Sequence, residues 1–244
     1  MPVNRFNDLS GFVVTDKKGN KSVFKNDLSV EYEEHLKFDE KKINQGIVKY
    51  LEIQAMVYNP FKFCSEEFKK KFNGFYRVRQ KTPKWYEHFY NTFEQCKDKK
   101  LSFKEVLTIM WEKTHEIDAS FCSKIIATID PSKPVWDKYV LQWLGIILDM
   151  PKNPKEKIEY CSKIYDHIND EYRKHIYDGN VIETFKHFNS VIKHAEELNP
   201  IKKIDFILWS NRSDRTVSIL EYNRLLDRLK EKDAKMILFF KKQK

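Results

Sequence analysis

The chain has 244 residues, 41% hydrophobic and 14% aromatic, which excludes a disordered protein and allows one large domain or two small lobes. Six glycines and eight prolines weigh against a sandwich or barrel and favour helices. Lys plus Arg exceeds Asp plus Glu by 45 to 36, a net charge of +9 that attracts polyanions without choosing among them.

In chain order, FVVTDKKGNKSVF (12–24) reads as a β-hairpin around Gly19-Asn20 and forms part of an N-terminal extension over residues 1–38. From Asp39 the pattern turns helical, with Ile43, Ile47, Tyr50, Leu51 and Val57 at spacings of three and four, and Asn59-Pro60 ends it. Ser65 caps a short helix over 65–75. FYRVRQK (75–81) reads as a basic loop or short extended piece, and Pro83 opens an aromatic helix. Ser102 caps FKEVLTIMWEKT, the loop THEIDA follows, and SFCSKIIATI (120–129) is again helical. After the turn DPSKP (130–134), a helix opens at Asp137 and carries Trp136, Val140, Trp143, Leu144, Ile147 and Leu148 on one stripe. A long amphipathic helix follows Pro151 and breaks at Asp178-Gly179-Asn180. A helix is expected over 181–199, then KKIDFILWS after Pro200, then a last helix over about 217–240. Helices from 153 on are expected to pack against those between 39 and 98.

Several chemistries lack their residues. Cys64, Cys96, Cys122 and Cys161 are widely spaced without a CxxC or CxH pattern, so no zinc or iron–sulfur site is expected. His187 and His194 fall two turns apart on the expected helix, where amphipathic spacing explains them better than a metal does. Walker, GxGxxG and GxSxG motifs are missing. Without a leader or an apolar run that spans a bilayer, the reading is a cytoplasmic protein, monomeric, with no cofactor.

Asp137 poses the sharpest question. As a helix N-cap it is ordinary, since a carboxylate there accepts backbone N–H bonds. Its surroundings suggest more. A helix, a tight loop, a second helix, a turn and an aspartate-led helix occupy residues 102–148. The stretch PVWDKYVLQWLG (134–145) resembles the "PVDTHVxRxxxRLG" segment of the helix-hairpin-helix DNA glycosylases, sharing Pro134-Val135, Asp137, Val140 and Leu144-Gly145. The residues read as an all-α protein with a small N-terminal β-hairpin, and the resemblance implies a two-lobed glycosylase-like fold over 39–244. It implies double-stranded DNA as partner and Asp137 as the carboxylate that stabilises an oxocarbenium-like sugar and activates water.

The departures are as informative. The family hairpin "LPGVGxKTA" is glycine-rich, so that its backbone reaches a phosphate. Here HEIDASFCSK (115–124) puts Glu116 and Asp118 beside Ile117. Ser120 falls where bifunctional members carry their Schiff-base lysine, which implies a monofunctional enzyme; Lys124, one turn on, is the alternative amine. Ser120 and Lys124 of this hairpin are taken as DNA-contacting. Arg77 and Arg79, with Tyr76 beneath, read either as phosphate contacts or as a surface loop. Lys133 and Lys138 flank Asp137 and are further candidates for the DNA backbone. The aromatics Trp85, Tyr86, Tyr90, Trp111, Trp136 and Tyr139 supply candidate pocket walls. The rival readings are a non-catalytic helical DNA-binding protein on the same scaffold and a helical interaction protein without a nucleic-acid role.

Overall fold

The computed structural model describes residues 11–15, 21–25, 39–146, 148–179 and 181–210. Within these the protein is mainly helical. The strands Gly11–Thr15 (β1) and Lys21–Lys25 (β2) pair antiparallel with Phe12 opposite Phe24. The turn joining them and the helix expected over 217–240 lie outside the described residues.

Helix α1 (Glu40–Val57) starts where Asp39 accepts the Lys42 N–H at 3.1 Å. Helices α2 (Glu66–Tyr76), α3 (Pro83–Lys99) and α4 (Phe103–Thr114) begin at Ser65, Thr82 and Ser102, each with a side-chain oxygen on an orphan backbone N–H. At Ser102 the cap is reciprocal, because Glu105 takes the Ser102 N–H at 2.7 Å. Helices α1, α2 and α3 bury Ile53, Phe68, Phe72, Phe89 and Phe93 around one aromatic centre, in which Phe72 and Phe93 meet edge to face at 5.1 Å. Each such ring removes enough apolar surface from water to contribute about 2–3 kcal/mol.

Helix α5 (Ala119–Ile129) follows α4 after a short hairpin loop, and a turn leads to α6 (Lys138–Trp143). The helix opened by Asp137 does not continue to Leu148; Gly145 adopts φ 65° and ends it. Trp136, Val140, Trp143 and Leu144 are nevertheless buried. Helix α7 (Pro154–Tyr177) lies against α4 and against α9 (Pro200–Ser210).

Helix α8 (Ile182–Val191) is shorter than the expected 181–199. Ile192 turns extended to bury its side chain, and His194 is left-handed at φ 62° before a single 3-10 turn, Ala195–Glu197. Packing of Ile192 overrides helical propensity there. His187 and His194 therefore do not share a helix. Phe188 and Ile192, together with Phe206 and Ile207 of α9, close on Ile43, Ile47 and Tyr50 of α1. All four cysteines are buried thiols, and burial pushes Cys64 and Cys96 up to about 12. Among the described residues no helix is long and apolar enough to cross a membrane.

Candidate active site

Helices α1, α5, α6 and α9 and the end of α2 line an open-mouthed cavity of about 570 Å³. Small-molecule sites span about 300–1,000 Å³. Tyr50, Phe75 and Phe206 form much of its aromatic wall: Tyr50 and Phe206 meet edge to face at 6.0 Å, and Phe75 lies 6.3 Å from Phe206. Gly46 makes this wall possible. A Cβ there would come within 3.1 Å of the Phe206 ring and 3.7 Å of Trp209.

Asp137 stands on the cavity wall, half-buried. Its Oδ1 accepts the N–H groups of Tyr139 at 2.8 Å and Val140 at 3.0 Å. Both cap bonds fall on one oxygen, and among the described residues Oδ2 has no hydrogen-bond partner. The cap holds the carboxylate in place while leaving one oxygen for other work.

The cavity also brings together Arg77, Ser120, Lys124 and Lys138. Lys124 is 8% exposed; its ammonium donates to Ser120 Oγ at 3.1 Å and lies 4.8 Å from the Phe121 ring centre. Arg77 is exposed and holds the left-handed cap of α2 at φ 54°. Arg79 and Lys133 do not line the cavity. Of the aromatics expected at a pocket, Trp136 and Tyr139 line it, whereas Trp85, Tyr86, Tyr90 and Trp111 do not. Trp85 instead stacks on Phe89 at 4.8 Å within the core.

The hairpin acids are accounted for. Lys81 binds Asp118 at 2.8 Å and also pairs with Glu116, while its ammonium lies 5.0 Å from the Trp85 ring centre. Asp118 therefore makes no side-chain cap bond to α5. Burial pushes the Asp118 carboxyl up against the pull of Lys81, while the bond to Lys81 draws Glu116 down. The hairpin offers no glycine, and His115 takes the left-handed position at φ 56°.

Sequence reasoning missed the α9 side of the cavity. Lys202, 2% exposed, bonds Asp205 at 2.7 Å, and both line the cavity. Tyr172 donates to Asp205 Oδ1 at 3.0 Å. Burial raises the Asp205 carboxyl above its ordinary range, opposed by Lys202, the Tyr172 hydroxyl and the Val135 N–H. The signal was present in KKIDFILWS, where Asp205 sits three residues after Lys202 in a largely apolar run. On the exposed surface, His194, Glu196 and Glu197 bring possible ligand atoms within 4.8 Å of one another, and His194 is bonded to Glu197 at 2.6 Å.

Comparison with models of protein families, with curated proteins and with solved structures finds no match to this chain.

Proposed function

We propose that the protein is a monofunctional DNA N-glycosylase that takes a flipped, damaged or modified base and hydrolyses its glycosidic bond. One observation carries the reading: a carboxylate fixed through Oδ1, with Oδ2 unpartnered among the described residues, on the wall of an aromatic cavity. The order hairpin, turn, aspartate-led helix is the one the glycosylase resemblance requires.

In this reading the base leaves the duplex, because its glycosidic bond is out of reach in the stack, and lodges against the aromatic wall. Positive charge grows on the sugar as the bond to the base lengthens. Asp137 stabilises that charge and orients the water that attacks C1′. Arg77 and Lys138 meet backbone phosphates at the cavity mouth. Ser120 supplies no amine, so the product is an intact strand with an abasic site. The biological setting is base-excision repair or defence against phage DNA with modified bases.

A second reading has its own support. Glu116 and Asp118, locked to Lys81, replace the glycines with which hairpins of this type reach a phosphate. That favours a helical DNA-binding protein without chemistry.

The deciding experiment incubates the protein and Asp137→Asn with genomic DNA from several sources, phage DNA with modified bases included, and then applies hot alkali. Strand breaks that require Asp137 are the expected result. Breaks without alkali would mean that an amine, Lys124 first, acts as a lyase. No breaks on any DNA, with salt-resistant binding intact, would leave the DNA-binding scaffold. Binding that vanishes with modest salt would reject both DNA readings.

A further inference from the structure

Residues 130–137 carry Asp137 into the cavity wall and belong to no helix or strand. Backbone groups in such a segment need partners from elsewhere. Here side chains provide them, residue after residue. Asn199 Nδ2 donates to the Pro131 carbonyl at 2.9 Å. Lys202 Nζ donates to the Lys133 carbonyl at 2.8 Å, and the Tyr165 hydroxyl to the Pro134 carbonyl at 2.8 Å. The Val135 N–H reaches Asp205 Oδ1 at 3.5 Å, and the Trp136 N–H donates to Ser123 Oγ at 2.9 Å. Three elements, α5, α7 and α9, thus grip one turn on its way to one carboxylate.

We infer that Lys202 and Asp205 of α9 are positioning residues for Asp137, acting through the backbone of residues 133–135. This rests on the glycosylase reading. A surface turn would be held more simply by its own Asx bonds, which this one also has: Asp130 Oδ1 accepts the N–H of Ser132 at 3.0 Å and its hydroxyl at 2.6 Å. The α9 pair is an additional, buried fixture. Lys202 is 2% exposed, with one N–H on Lys133 and another on Asp205. Asp205 Oδ1 is held by Tyr172 from α7. Both members line the same cavity as Asp137, so the fixture stands beside the group it aligns. Side chains locked by such supporting bonds hold a reacting group to a fraction of an ångström, and a displacement of about 1 Å lowers a rate about 100-fold.

Two variants test this. Asp205→Asn keeps the shape but deprives Lys202 of its counter-charge. Lys202→Met with Asp205→Leu removes both charges, so that no unpaired ion is left in the core. Two readouts are taken on the full chain: backbone amide exchange over 131–140 against that over α2 and α3, and single-turnover base release beside DNA affinity. The expected result in both variants is at least tenfold faster exchange confined to 131–140. Base release falls about 10- to 100-fold at unchanged DNA affinity.

Unchanged exchange over 131–140 would overturn the inference. So would wild-type base release in both variants, or exchange accelerated equally in α2 and α3 in both, since the pair would then support the fold at large. If the unmodified protein releases no base from any DNA, the glycosylase reading fails on its own, and local exchange still decides whether α9 holds the turn.

Discussion

The backbone N–H of Trp136 donates to Ser123 Oγ at 2.9 Å, which ties the residue before Asp137 to the middle of α5. Ser123 is fully buried, and its hydroxyl also bonds the Ser120 carbonyl at 2.9 Å. Ser123→Ala strands the Trp136 N–H away from water. The variant is expected to lose about 1–3 kcal/mol in urea unfolding. A loss below a few tenths would mean that the Trp136 N–H finds another acceptor.

Under the glycosylase reading Asp137 would have two separable roles, helix cap and reacting carboxylate. Asparagine keeps an Oδ1 acceptor for the Tyr139 and Val140 N–H groups, and it caps helices as well as aspartate does. Asp137→Asn is therefore expected to unfold like the parent while forming no abasic sites. Asp137→Ala loses the cap as well, at about 1 kcal/mol. Stability matched between parent and Asn variant, with base release intact in both, would reduce Asp137 to a cap.

The cavity wall depends on a missing methyl group. In Gly46→Ala the new Cβ meets the Phe206 ring at 3.1 Å, and that ring also packs against Tyr50 and Phe75. The expected cost is about 1–3 kcal/mol, offset in part by alanine's better helix propensity. Because Phe206 lines the cavity, the glycosylase reading expects its displacement to lower base release as well as stability. Parallel measurement of melting temperature and base release checks this; an unchanged rate would show that the ring has room to retreat.

The Ser102–Glu105 box sets one limb of the acid response. Bonds from the Ser102 hydroxyl and N–H hold the Glu105 carboxyl below its ordinary 4.5. A depressed carboxyl contributes stability above its unfolded value, and that contribution is lost as the pH falls through the folded value. The melting temperature of the parent should exceed that of Glu105→Gln at neutral pH, and the gap should close below pH 4.5. A gap independent of pH would assign the difference to cap geometry instead of charge.

Much of the helix order was legible because it is written locally. Ser65, Pro83 and Ser102 announce their helices through capping chemistry, and the spacing of Ile43, Ile47 and Tyr50 announces α1. Asp137 was legible as a cap for the same reason. Part of what escaped was set by distant partners. Ile192 leaves the helical path to reach the α1 cluster, and nothing near it in sequence says so. Gly145 marks the end of α6, yet the apolar stripe running past it masked the stop. Thr82 as a cap and the Lys81 pairing with Glu116 and Asp118 also escaped, the latter because its partners are 35 and 37 residues away. Tyr50 was visible only as one of the periodic apolar positions of α1, and Phe206 only as part of KKIDFILWS. That they wall a cavity with Asp137 follows from how α1 and α9 meet, which periodicity does not encode.

Few glycines leave a mark on the backbone. Arg77, Lys100 and His115 each end a helix in the left-handed region, at φ 54°, 53° and 56°, where a side chain is strained. At Lys100 the strain serves no cavity and no ion pair among the described residues. Lys100→Gly therefore returns a net stability on the order of 0.5–1 kcal/mol, the relieved strain exceeding the added freedom of the unfolded chain. At Arg77 the same exchange would also remove a guanidinium from the cavity lining. A Lys100→Gly background is thus a reinforced chassis, in which weakened cavity variants can be kept folded long enough to be assayed.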